Sequence, residues 1–244
     1  QGVGTFGSRT IASAGTSLLD TVEKIVEQLA PMAAERLGVK KSELQYREGL
    51  WTCRCLNRNN SHITLKEVQK MLKEDLTAET FCRANGATFP NACHVCEVEI
   101  DPETGEIAFD RYVVAEDAGK LINPMIVKGQ VMGGVVQGIG QALMEQIVYD
   151  RKSGQLLTAS FMDYALPRAK DIPNIKVDSY SVLTKNNPLG VKGIGEAGTV
   201  GALAATMNAI CDGLVYAGAK PIEMPATAVK IWEALQADSC TFRN

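Results

Sequence analysis

Apolar residues recur at helical spacing between residues 16 and 37, where Leu18, Leu19, Val22, Ile25, Val26, Leu29 and Ala33 fall on one side of a predicted helix. Pro31 marks a kink or break within it, because proline cannot donate the helical hydrogen bond. Thr64 is placed to cap a short second helix over 65–74. Between the two helices, 43–55 reads weakly as extended structure. The stretches 95–101 and 106–114 alternate in polarity as half-buried strands do, and Asp101-Pro102-Glu103-Thr104-Gly105 supplies the turn angles of a hairpin loop. A long helix is predicted over 124–146, followed by strands over 147–150, 155–164 and 175–182. A glycine-bounded loop, 190–198, then feeds a helix over 199–214, and a last helix covers 226–236. The order α, β-hairpin, α, β, α predicts an α+β fold, for which two intertwined lobes are one arrangement. There is no internal repeat and no low-complexity linker.

Composition narrows this picture a little. The 244 residues suffice for one large domain or two small ones, and 45% hydrophobic with 22% charged residues is ordinary for a globular chain with a sizeable core. A net charge of -3 gives no electrostatic reason to expect nucleic acid or an anionic membrane as a partner. No apolar run approaches the roughly 20 residues that span a bilayer, so no membrane span is expected. The first residues carry neither a basic region nor an apolar core of a signal peptide, and no initiating Met, which suggests a processed, truncated or separately encoded piece. Seven cysteines in a chain of this size suit free cytosolic thiols, hence a cytoplasmic location. Cys53-Arg54-Cys55 and Cys93-His94-Val95-Cys96 hint at zinc, but the spacing is incomplete. If a strand began at Cys93, Cys93 and Cys96 would point to opposite faces, so ordinary buried or surface thiols are the favoured reading.

Three segments could carry chemistry. Gly2-Val3-Gly4-Thr5-Phe6-Gly7 spells a G-x-G-x-x-G, yet the dinucleotide motif needs a preceding strand and an acidic residue at a strand end. No strand can precede residue 1 of this chain, although a missing N-terminal half could supply one, and Asp20 falls inside the predicted helix. A loop of converging backbone N–H donors, with Ser8 and Thr10 hydroxyls and the Arg9 charge, fits better and suits a phosphate or polar heterocycle. An ordinary glycine turn before a helix explains it equally well. The second segment is the 124–146 helix, whose Gly129, Gly133, Gly134, Gly138 and Gly140 each cost about 1 kcal/mol relative to alanine in an exposed helix interior. Such a cost is accepted where another backbone or a ligand comes close. Gln130 could present its amide to a ligand there, and close helix packing is at least as good an account. The third is Gly193-Ile194-Gly195-Glu196-Ala197-Gly198, a single carboxylate among glycines just before a helix. Taken locally, a helix-capping Glu196 is the better reading, and a general base in a tight cleft is the sharper one.

Taken in order, these segments resemble one family. The series runs Gly4-Thr5-Phe6-Gly7-Ser8-Arg9, then 97–105, then Asp117-Ala118-Gly119-Lys120-Leu121-Ile122-Asn123-Pro124, then the glycine-rich helix from Gly129-Gln130, then Asp163-Tyr164-Ala165-Leu166-Pro167 and Lys192-Gly193-Ile194-Gly195-Glu196. It is similar to the molybdopterin-binding region of molybdenum hydroxylases: xanthine dehydrogenases, aldehyde oxidases, carbon monoxide dehydrogenases and nicotinate dehydrogenases. Several motifs in one order are far more specific than any one of them, and they reverse the local preference at Glu196.

The resemblance implies that 1–237 is the C-terminal molybdopterin-binding domain of a molybdenum subunit, with 238–244 as a tail. It implies an oxidoreductase that hydroxylates an N-heterocycle or aldehyde with water-derived oxygen, with Glu196 taking the proton that makes that oxygen nucleophilic. Gly7, Ser8, Arg9, Thr10, Gln130, Gly193 and Gly195 are implied in holding the cofactor, a molybdopterin for which the cytosine dinucleotide is one form. Family subunits are much longer, so partners are expected: an N-terminal half of the molybdenum subunit, an iron–sulfur subunit and an FAD subunit, with a small-molecule substrate. The cysteines show no four-Cys ferredoxin pattern, and the resemblance implies iron–sulfur clusters and FAD on those partners. A relic or assembly scaffold without cofactor is the alternative. The segment 51–60 and the tail look unlike the family.

Overall fold

The computed structural model describes residues 4–53, 62–73, 75–82 and 86–237. The chain divides into two compact units, Thr10–Asn85 and a larger one formed by Gln1–Arg9 with Gly86–Asn244. Helices and sheet occur in both, an α+β fold in which the smaller unit interrupts the chain of the larger.

The smaller unit opens with a π-helical turn, Ile11–Gly15, and continues into α1 (Thr16–Leu37). Pro31 does not break the helix, which runs on to Leu37. It removes one donor, but Leu29, Ala30, Ala33 and Ala34 around it are buried, and packing holds the turn. Three short antiparallel strands follow in the order β1 (Leu44–Arg47), β2 (Leu50–Cys53) and β3 (His62–Thr64). Thr64 caps α2 (Leu65–Gln69): its hydroxyl accepts from the Glu67 N–H while Glu67 accepts from the Thr64 N–H. α2 is shorter than the expected 65–74, because Met71 and Leu72 bond three residues back and tighten out of the helix; Glu74 lies outside the described residues. Leu29, Ala33, Trp51, Ile63 and Val68 form the core. Cys53 is disulfide-bonded, which corrects its reading as a free thiol, and most of the atypical segment 51–60 lies outside the described residues.

The larger unit holds a sheet in the order β4 (Asn91–Ile100), β5 (Ile107–Asp117), β6 (Ile175–Ser179), the first pair antiparallel and the second parallel. Both hairpin strands run longer than their alternating patterns. β6 stops short of 182 because the Val182 N–H bonds the Asp117 carboxylate instead of a strand neighbour. α3 (Pro124–Leu143) lies in the crossover between β5 and β6, with Asn123 capping its first turn and Pro124 in it. It ends before 146 because Met144 and Glu145 both donate to the Gly140 carbonyl. α4 (Ala197–Tyr216) packs on α3 and on β4, and α5 (Ala228–Ala237) follows. Tyr112, Val114, Val131, Val135, Ile139, Ile175 and Ala202 form one core cluster, and Ile210, Leu214, Ala219, Ala226 and Ile231 another.

Two further expectations need correction. The strands expected over 147–150 and 155–164 reduce to one isolated bridge, Tyr149 with Leu156. Asp150 gathers the Lys152 and Ser153 N–H groups, and Ser160 bonds Asp163, so side chains compete with the ladder and turn the chain. α4, at 20 residues with a mean hydropathy of 1.2, is long and apolar enough to match a bilayer span. Its composition is small and apolar, and its inward Ala202, Thr206, Ile210 and Leu214 are buried in the protein.

Candidate cofactor site

The larger unit brings its two glycine loops together. In the first, Gly7 and Ser8 both adopt left-handed backbone (φ +56° and +57°), a conformation that glycine takes freely and serine only at a cost of about 1–2 kcal/mol. The Arg9 guanidinium closes the loop on itself, donating to the Gly4 carbonyl at 3.1 Å and lying 3.8 Å from the centre of the Phe6 ring. Thr10 is the N-cap of the π-helical turn and already belongs to the other unit. Gly2 and Val3 lie outside the described residues, and Asp20 sits within α1, which leaves the dinucleotide reading without its acidic strand end.

The second loop is fixed by polar contacts at its start. Val191 bridges Gly119, the Lys192 N–H donates to the Ala118 carbonyl at 2.9 Å, and the Lys120 N–H donates to Gly190 at 3.0 Å. Gly190 takes φ +68° to make this turn. The buried Asn187 acts as a further strand partner: its amide accepts from the Val191 N–H at 3.1 Å and donates to the Val191 carbonyl at 2.9 Å. Lys192 forms a nearly buried ion pair with Asp117. Burial alone would raise the Asp117 pKa, but the Lys192 ammonium and the Val182 and Gly119 N–H groups outweigh it and hold the carboxyl below the usual aspartate value.

From there the chain runs against the first loop. A Cβ on Gly193 would overlap the Ser8 carbonyl, and one on Gly195 would lie 2.6 Å from the Ser8 hydroxyl. Gln130, on the first turns of α3, donates to the Gly195 carbonyl at 3.0 Å. Glu196 follows as the N-cap residue of α4, but its side chain makes no capping bond. Its carboxylate is exposed and has no hydrogen-bond or ion-pair partner among the described residues. Capping therefore does not account for this glutamate.

The glycines of α3 sort by what they face. Gly134 meets the α4 backbone, with a Cβ there 2.9 Å from the Thr199 nitrogen, and Gly138 would press on Ala202. Gly140 abuts Glu145 and Pro167. Gly129 and Gly133, one turn apart and beside Gln130, are exposed and face open space. Packing within this protein explains the first group and not the second.

The family of molybdopterin cofactor-binding domains matches residues 1–173. The chain belongs to this family. As a molybdopterin cofactor-binding domain it is 31% identical over 240 residues to the carbon monoxide dehydrogenase large chain of Afipia carboxidovorans, an overlap of 95% of this chain and 29% of that one. It is 34% identical over 247 residues to the nicotine 6-hydroxylase large subunit of Paenarthrobacter nicotinovorans, 96% and 30% respectively. Among solved structures, reconstituted CO dehydrogenase from Oligotropha carboxidovorans superposes with a TM-score of 0.89 at 30% identity, over 98% of this chain and 30% of that one. The chain thus spans about three tenths of the length of the relatives it matches. The loop 190–196 lies beyond the family match but within the overlap with these relatives.

The residues present fit a molybdopterin. The open glycine stripe of α3 leaves room that a Cβ would reduce, and the adjacent loops offer backbone N–H groups, an amide and a cation to an anionic, hydrogen-bonding ligand. The buried features that the patterns did not announce are Asp117, Asn187 and the His94–Tyr112 pair. His94 Nδ1 lies 3.0 Å from the Tyr112 hydroxyl, and its Nε2 is buried against Gly201 without a hydrogen-bond partner among the described residues. Cys93 is exposed and Cys96 half-buried, on opposite faces of β4, so this pair does not converge on a metal.

Proposed function

We propose that residues 1–237 are the C-terminal, cofactor-holding part of a cytoplasmic molybdenum oxidoreductase that hydroxylates an N-heterocycle or aldehyde with water-derived oxygen. The observation that carries this reading is the uncapped Glu196 side chain, which directly follows Gly195, the residue that packs on Ser8 and accepts from Gln130. Molybdopterin, when bound, supplies the two-electron redox chemistry, and the cytosine dinucleotide is the form proposed. Gly7, Ser8 and Arg9 hold it with backbone and side-chain donors, and Gly193 and Gly195 let backbone approach it. Gln130 is braced on Gly195 through its nitrogen, which leaves its amide oxygen to accept from the cofactor. Glu196 removes the proton that activates the attacking oxygen, and the fixed loops supply orientation.

The name of the nicotine 6-hydroxylase relative favours an aromatic nitrogen heterocycle among these substrate classes. Because the chain spans three tenths of its relatives, the reading requires the N-terminal part of a molybdenum subunit, with iron–sulfur and FAD subunits to carry electrons away. The test is purification of the native complex with metal and pterin analysis, followed by Glu196→Gln. Turnover per bound molybdenum should fall roughly 10² to 10⁴-fold, the contribution of a general base. Full turnover by the variant would remove Glu196 from that role, and a native complex without molybdenum or pterin would favour the scaffold reading.

A further inference from the structure

The loop that presents Glu196 is held at one end by a charge pair buried under it. Asp117 ends β5, and its carboxylate gathers three donors: the Gly119 N–H at 2.9 Å, the Val182 N–H at 3.0 Å and the Lys192 ammonium. The two side chains are only 12% and 10% exposed. Glu116 beside it is buried as well, bonded to the Ser179 hydroxyl at 2.9 Å. Burial pushes its carboxyl above the usual glutamate value, towards the neutral acid. Among the described residues, Asp117 is then the one carboxylate in ion-pair range of Lys192.

This pair lies where the loop leaves the sheet. Backbone bonds tie Val191 and Lys192 to the end of the sheet; beyond them the backbone bonds are local, from the Ala197 N–H to Ile194 and from the Val200 N–H to Glu196. Past Lys192 the chain rests on Ser8 through glycines, and among the described residues the Gln130 bond to Gly195 is its one side-chain hydrogen bond before Glu196. A buried ammonium that lost its counter-charge would have to give up its proton or move towards water, and either change removes the tie between the loop and Asp117. Removing the charge at Asp117 should thus be felt at Glu196, which Asp117 never touches.

We propose that Asp117, acting through Lys192, is a positioning residue that sets the Glu196 loop for proton transfer. This rests on the reading of Glu196 as the base. Asp117→Asn keeps an acceptor for the two N–H groups and removes only the charge. In the native complex it should lower kcat per bound molybdenum by about 10 to 100-fold, the loss expected of a misplaced catalytic group, with KM unchanged. Hydrogen exchange of the 191–197 segment, followed by mass spectrometry, should quicken in the same variant. Lys192→Met should give the same two effects and serves alone if Asp117→Asn does not fold. Combined, the two substitutions should cost no more than either one, since they break one link.

An Asp117→Asn enzyme with unchanged kcat per molybdenum would overturn the proposal. So would additive losses in the double variant, or a fall in molybdenum content with kcat per metal intact. Glu196→Gln separates the two readings. If it turns over normally, the base assignment fails, and loop exchange still decides whether Asp117 and Lys192 hold the segment. If it loses activity while Asp117→Asn keeps activity and exchange unchanged, the positioning claim alone fails.

Discussion

The α-carbon of Gly193 lies so close to the Ser8 carbonyl that a Cβ there would overlap the oxygen. The neighbour is backbone and cannot rotate away, so the two glycine loops touch only because residue 193 has no side chain. Gly193→Ala should push them apart. Overpacking of this kind costs about 1–3 kcal/mol, and the melting temperature should fall by several degrees together with bound molybdenum. Thermal melting and metal analysis of the purified complex check this; an unchanged melting temperature would show that the loops can give.

Adjacent glycines of α3 should respond in opposite ways. Gly134→Ala drives a methyl into the α4 backbone and is expected to cost about 1–3 kcal/mol. Gly133→Ala meets nothing within 4 Å, and the better helix former should be neutral or stabilising by up to about 1 kcal/mol when no cofactor is bound. If the open face is the cofactor cradle, the same Gly133→Ala substitution lowers cofactor content severalfold while the helix gains. Melting of cofactor-free and loaded protein, with pterin measured by fluorescence, separates the two effects.

The extent to which sequence announced this structure follows from the range of the interactions. α1, α3 and the β4–β5 hairpin were legible because their signals are local: helical spacing, the Asn123-Pro124 start, the Pro and Gly of the hairpin loop. The strands expected over 147–164 failed where Asp150 and Ser160 turned the chain with their side chains. At the site, Glu196 read locally as a cap, and only the order of distant motifs argued otherwise. Its uncapped side chain is a fact of geometry that no spacing encodes. The Asp117–Lys192 pair joins residues 75 positions apart, and nothing in the two motifs that hold them signals that they meet. Asn187 standing in for a strand was invisible for the same reason.

The cysteines of β4 should differ sharply in reactivity. Cys93 is exposed, whereas burial pushes the Cys96 thiol up to about 11. At pH 8, iodoacetamide should modify Cys93 and leave Cys96 intact in the folded protein, and unfolding should abolish the difference. Peptide mass mapping after brief labelling reads the order directly; equal labelling would place Cys96 at the surface.

His94 gives the fold a defined response to acid. Burial holds its pKa below the ordinary value of 6.5, so the folded protein favours the neutral imidazole more than the unfolded chain does. Well above pH 6.5 both states are neutral and the full stability is present. As pH falls below 6.5 the unfolded chain takes up the proton first, and stability drains away until the pH has passed the lowered folded-state pKa. Nδ1 faces the Tyr112 hydroxyl and Nε2 has no acceptor, so a protonated ring would carry one N–H donor with nothing to meet. Other groups titrate over the same range, and a difference measurement removes them. His94→Gln keeps an amide near Tyr112 but cannot be charged. Relative to the parent, its melting temperature should therefore improve as pH is lowered from 7.5 to about 5, whatever its offset at neutral pH. A constant offset across that range would mean that His94 remains neutral, or titrates alike, in both states.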